Sequence, residues 1–155
     1  MILDEVRARD ILDAAHAAWS RGDVEGVLSQ YVDDLTYWSN TGAPDGAPLT
    51  IVGKMALRAF LESIAEVADS GSVSEYFRLG DGLGRAKIEC FIRHKQTGHT
   101  LVGSYRQVIT FRGDKILRVD EYHDAAKMAA FWRLIAGETV ERSLAIKRQR
   151  CLPER

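Results

Sequence analysis

Apolar positions in the opening segment recur at three- and four-residue steps: Ala8, Ile11, Leu12, Ala15, Ala18 and Trp19. That period lays one stripe along an amphipathic helix, which Arg21-Gly22 should stop. Asp23 is placed to cap a short second helix by accepting from free backbone N–H groups, with Val24, Val27, Leu28 and Tyr31 on its buried side. "LTYWSN" is aromatic and β-branched and predicts a short strand, followed by the turn-rich loop "TGAPDGAP". Leu57, Phe60, Leu61, Ile64, Val67 and Ala68 restore helical spacing over 53–68, and "DSGS" should end that helix.

Three longer alternating runs follow, "VSEYFRLG", "GRAKIECFIRHK" and "HTLVGSYRQVITFR", separated by "DGLG" and "QTG". With "KILRVDEYH" after a Gly113-Asp114 turn they read as successive antiparallel strands. Asp124 is placed to cap a last helix carrying Met128, Phe131, Trp132 and Ile135, and Gly137 should divide it from the tail. Helix, helix, strand, helix, four strands and helix predict an α+β fold, its helices gathered against one curved antiparallel sheet. A concave sheet that helices close only in part leaves a cone, to be filled by side chains or by a ligand.

A chain of 155 residues, 46% hydrophobic and 28% charged, fits one globular domain. Its 21 Lys and Arg nearly balance 22 Asp and Glu, so no overall field would gather nucleic acid or a membrane surface. The basic tail "ERSLAIKRQRCLPER" reads as a solvated helix end. Two cysteines, Cys90 and Cys151, form neither a CxxC nor a disulfide framework, and the N-terminus resembles no signal peptide, so a cytoplasmic location is expected. No His pair at ligand spacing and no Cys/His cluster predicts a metal, and no cofactor is expected; His16, His94 and His99 are expected at the surface.

The order of elements, with "GDVEGVLSQYVDDLTYWSN" and "GDKILRVDEYHDAAKMAAFW", resembles the nuclear transport factor 2-like superfamily, in its SnoaL-like and limonene-epoxide-hydrolase-like branch. The resemblance implies a cone-shaped domain over 1–136, with 137–155 an additional basic helical tail, a homodimer, and a hydrophobic small molecule as guest. It further implies that Trp19, Tyr31, Trp38, Phe60 and Tyr105 line the cavity. Epoxide hydrolases of this kind carry an Arg and an Asp two residues apart on the strand where this chain has Ile88 and Cys90, so that relay is expected to be missing. Trp38 and Asn40 match a Tyr and an Asn that hold water in those enzymes; Asn40 equally suits a strand-end residue satisfying a turn.

Alternation on the last strand puts Leu117, Val119, Glu121 and His123 on one face. Glu121 facing an apolar chamber would lose hydration, its pKa would rise, and with His123 it could serve as general acid or base. Alternatively, a tight Gly113-Asp114 turn sets Arg106 directly across from Glu121 and makes an inert ion pair. The resemblance instead points Tyr105 inward, a conflict that a bulge in the long strand would reconcile. Two functions are therefore expected as alternatives. One is a cofactor-free isomerase or cyclase acting on a hydrophobic carbonyl compound, with Glu121 and His123 catalytic. The other is a non-catalytic binding or dimerisation protein.

Overall fold

The computed structural model describes residues 2–42 and 46–150; Met1, residues 43–45 within "TGAPDGAP" and the last five residues lie outside them. Helix α1 (Glu5–Ser20) starts where Asp4 accepts from the Arg7 N–H at 2.8 Å, and it stops at Arg21, where Gly22 takes φ of 71°. In α2 (Val24–Leu28) the Asp23 carboxylate accepts from the Gly26 N–H at 2.9 Å, the cap that the sequence predicts. Tyr31 does not continue that helix. It opens β1 (Tyr31–Ser39), which begins four residues earlier than its β-branched signal suggests.

A short strand without a clear sequence signal, β2 (Leu49–Val52), pairs with β1 and leads into α3 (Lys54–Val67). The "DSGS" segment then continues as strand: β3 (Ala68–Gly80) runs antiparallel to β4 (Leu83–His94), with Asp69 opposite Arg93 and Gly71 opposite Phe91. A Cβ on Gly71 would stand 2.3 Å from Phe91 Cε1, so the ring covers the glycine. Strands β5 (Thr100–Arg112) and β6 (Lys115–Tyr122) complete a six-stranded sheet of order β2-β1-β6-β5-β4-β3. The sheet is antiparallel except between β1 and β6, which run parallel. Asp124 accepts from the Lys127 N–H at 3.0 Å and caps α4 (Ala125–Arg150). That helix passes unbroken through Gly137, because one interior glycine costs only about 1 kcal/mol relative to alanine.

The core lies between α1, α2 and α3 and the concave sheet face. Ile11, Leu12, Leu28, Leu35, Leu57, Ile88, Ile109, Ile116 and Val119 are essentially inaccessible there. Ile116 and Val119 are both buried although three residues apart, which strict alternation forbids. The reason is a bulge: Phe111 faces Ile116 while Thr110 faces Arg118, leaving Leu117 as the extra residue.

Candidate functional site

The bulge at Leu117 decides what surrounds Glu121. A tight turn with Arg112 opposite Lys115 would bring Arg106 across from Glu121 had the register continued. The extra residue shifts it by one, so Gln107 faces Glu121 and Arg106 faces Tyr122 on the exposed side. The conflict between the tight-turn register and an inward Tyr105 is thus resolved in the short strand, not the long one, and the Arg106 ion pair is not formed.

Glu121 is buried and accepts three hydrogen bonds. Tyr37 Oη donates to Oε1 at 2.5 Å, His123 Nε2 lies 3.0 Å from the same oxygen, and Gln107 Nε2 donates to Oε2 at 2.7 Å. Burial pushes its pKa up, but the His123 hydrogen bond and charge, with the donors on Tyr37 and Gln107, outweigh that and hold it below the ordinary carboxylate value. The expected upward shift is therefore reversed: Glu121 is an anion solvated by protein donors, not a stranded one. Burial, followed by the Glu121 charge, raises the pKa of Tyr31, Tyr37 and Tyr105, which keeps all three phenols protonated.

His123 stands at the end of β6 with 14% of its side chain exposed, its ring stacked on Tyr105 at a centroid distance of 4.3 Å. Among the described residues nothing bonds its Nδ1. It lines a small opening of about 30 Å³ with Cys90, Leu101, Gly103, Lys127 and Met128. Asn40 locks the strand end here. Its side-chain N–H donates to the His123 carbonyl at 2.9 Å and its Oδ1 accepts from the His123 N–H at 2.8 Å. Both amide groups are spent on backbone, so Asn40 is not free to hold a substrate oxygen, and what it satisfies is the neighbouring strand, not its own turn.

Behind Glu121 the network continues. His16 Nε2 lies 3.0 Å from Gln107 Oε1 and its Nδ1 lies 2.6 Å from Ser72 Oγ, which ties α1 to β5 and β3. His16 is buried rather than at the surface. Its sequence position carried the signal: four residues after Leu12, it lies on the apolar stripe of α1. His94 is likewise buried, bonded to Thr97 at 2.9 Å, and His99 is half-buried against Glu138 at 2.6 Å.

The remaining candidates separate. Tyr31 and Ile88 belong to the closed core, and Trp19 and Phe60 pack against it from the helices, Phe60 with its ring 5.8 Å from that of Tyr37. Trp38 is corrected: the buried Leu35 and Ser39 set the parity of β1, so Tyr37 points inward and Trp38 points outward, 5.3 Å from Tyr122. Tyr37 is the residue that sequence reasoning missed, although it is Trp38's neighbour. Cys90 is a wall of the opening, its thiol pushed up to about 11 by burial and then by the Glu121 charge. No group of three metal-ligating side chains suited to an ion occurs among the described residues. A larger trough of about 440 Å³ lies away from Glu121, between Asp33, Asp34, Lys54, Arg112 and Lys115. Its groups are already engaged, Arg112 on Asp34, Lys54 on Asp33 and Lys115 on the Ser29 carbonyl, so it presents no convergent chemistry.

Residues 12–119 match the SnoaL-like domain family. The fold is similar to that of TerC co-crystallised with polyporic acid, at 18% identity over 82% of this chain and 98% of that one, with a TM-score of 0.71. It is also similar to a nuclear transport factor 2-like protein from Burkholderia pseudomallei (16% identity, 81% and 96% covered, TM-score 0.71). A Mycobacterium tuberculosis epoxide hydrolase of the limonene type is similar too (15%, 88% and 98%, 0.68). Among curated proteins, none matches the sequence.

Proposed function

Because the chain belongs to the SnoaL-like domain family, we propose that it binds a hydrophobic carbonyl compound and acts on it as a cofactor-free acid/base catalyst of the isomerase or cyclase type. The observation that supports this reading is the His123–Glu121 pair, 3.0 Å apart, with the imidazole at an opening and the carboxylate behind it. It exchanges the roles expected from sequence. Glu121, with three donors already on it, orients the imidazole and stabilises its cation, while Nδ1 of His123 takes a proton from the carbon next to the carbonyl. The electron pair of that C–H bond passes to the carbonyl oxygen, giving an enolate. In a β,γ-unsaturated ketone the enolate is a dienolate, and returning the proton from His123 to its γ-carbon shifts the double bond. Where a second carbonyl lies within reach, the enolate carbon attacks it instead, its π electrons pass to that oxygen, and the resulting alkoxide takes the proton from His123 as the ring closes.

An enolate needs a positioned donor. Lys127, which lines the same opening and donates from Nζ to the Val102 carbonyl, is the cation we assign to that role. An opening of about 30 Å³ holds one water, so substrate entry displaces Met128 and Leu101. Epoxide hydrolysis is not proposed, because Ile88 and Cys90 supply neither the cation nor the acid of that relay.

Deuterium exchange at the α-carbon of a panel of hydrophobic ketones, followed by NMR in D2O, tests the reading. Exchange above buffer is expected from the wild type, with a loss of roughly 100-fold or more in His123→Gln, the usual size of a general-base contribution. Exchange that survives in His123→Gln, or none with any ketone, overturns it. The closed interior favours a second reading, a non-catalytic binder, which a ligand retained in native mass spectrometry without exchange would assign.

A further inference from the structure

We propose that His16 is a positioning residue for the Glu121–His123 pair, acting through Gln107: by donating from Nε2 to the Gln107 carbonyl it forces the Gln107 N–H onto Glu121. The inference rests on the acid/base reading of that pair only for its consequence, not for its geometry. A glutamine side chain has two orientations of nearly equal shape and opposite hydrogen-bonding sense. If it turned over, the Gln107 oxygen would face the carboxylate and its N–H groups would face an imidazole N–H. His16, 3.0 Å away, selects between them.

What selects the tautomer of His16 is also built in. Ser72 Oγ is 2.6 Å from Nδ1 and can donate a proton there, leaving the imidazole hydrogen on Nε2. Ser72 is itself held, because its N–H donates to Ser20 Oγ and its carbonyl accepts from the Ser20 hydroxyl. Burial keeps His16 neutral by lowering its pKa, while Gln107 and the charges of Glu121 and Asp13 pull the other way. Asp13 is engaged by the Ser74 hydroxyl. Ser20 thus fixes where Ser72 sits, and with the Ser72 hydroxyl donating to Nδ1 each contact from His16 through Gln107 to Glu121 pairs one donor with one acceptor.

The groups facing the pair are Tyr31 and Tyr37 from β1, Cys90 from β4, Tyr105 and Gln107 from β5, Asp124 at the cap of α4 and Lys127 within it, with His16 of α1 behind Gln107. Of these, Gln107 is the only one whose donor is set from a distance. Without His16, Gln107 can turn away or turn over, and the anion loses a donor. The pair then binds its next proton more tightly.

The test is a nitrogen-15 NMR titration of the His123 imidazole in the full chain, which needs no substrate and so separates this inference from the proposed activity. In His16→Leu, which keeps the bulk and removes the donor, the apparent pKa of the pair should rise by about one unit, a tenfold change in proton affinity. His16→Gln, whose amide N–H replaces Nε2, should return it to the wild-type value. A His16→Leu titration that coincides with wild type, or a His16→Gln shift as large as that of His16→Leu, overturns the proposal. Should His16→Leu not fold, the wild-type spectrum decides: a neutral His16 with its proton on Nε2 supports the proposal, and one with its proton on Nδ1 refutes it.

Discussion

Replacing Glu121 by glutamine changes one oxygen into an NH2 group and removes a buried charge, at a site where all three partners are donors. If the amide oxygen takes the place of Oε1, facing Tyr37 and His123, the new NH2 meets the Gln107 NH2. Gln107 must then turn over and abandon His16, or leave two donors unpaired. Hydrogen bonds to a charged group contribute about 1.5–3 kcal/mol each, and breaking a buried pair by removing one partner costs about 3–5 kcal/mol. Since some bonds survive in neutral form, a loss of about 3 kcal/mol at pH 7 is expected. For a chain of this length that is a fall in melting temperature of roughly 6–12 °C.

The pH dependence has a definite sign. The folded pKa of Glu121 lies below its unfolded value of about 4.5, so its contribution is present above that value and is lost as pH falls through the folded one. Urea melts of wild type and Glu121→Gln between pH 3 and pH 8 should show a gap at pH 7 that closes at the acid end, as Glu121 takes up its proton. A variant as stable as wild type at pH 7, or a gap that does not shrink between pH 5 and pH 3, would refute the assignment of Glu121 as a hydrogen-bonded anion.

Asn40→Ala should lower stability by about 1–3 kcal/mol in the same melts, because it leaves the His123 N–H and carbonyl without their side-chain partners. Gly84→Ala sets a methyl 2.9 Å from the buried Phe77 ring and 3.2 Å from Phe111, and should cost about 1–3 kcal/mol. Gly71→Ala, against the 42%-exposed Phe91, should cost less, since that ring can swing into solvent; equal losses would contradict the packing argument. In a Cys151→Ser background, Cys90 should be alkylated by iodoacetamide at pH 7.5 far more slowly in the native protein than in urea, because a thiol pushed up to about 11 is almost wholly protonated. We expect a homodimer through the outer sheet face, where Val73, Phe91 and Val102 are exposed; sedimentation as a monomer at tens of micromolar would refute it.

Local chemistry is legible in this chain wherever one residue and its near neighbours suffice. Asp23 and Asp124 cap helices because a carboxylate two or three residues before free N–H groups needs no distant partner. The Asp81-Gly82 and Gly113-Asp114 turns, and the apolar stripes of α1 and α3, follow from backbone preference and period in the same way. The SnoaL-like order of elements is largely the sum of such signals, and so the fold class is legible in the amino-acid order, while β2 and the start of β3 are not.

The site is not, because it depends on register, and register is settled between strands. One extra residue at Leu117 replaces Arg106 by Gln107 opposite Glu121, which turns an expected ion pair or a stranded acid into a hydrogen-bonded anion. The parity of β1, set by burying Leu35, exchanges Trp38 for Tyr37. His16 needs three elements to meet before its two nitrogens find Ser72 and Gln107. Side chains in strands alternate with period two, so a shift of one residue changes every neighbour while leaving composition and periodicity almost untouched. The sequence alone therefore determines that Glu121 and His123 share a strand end, and only the packed sheet decides which groups hold their protons.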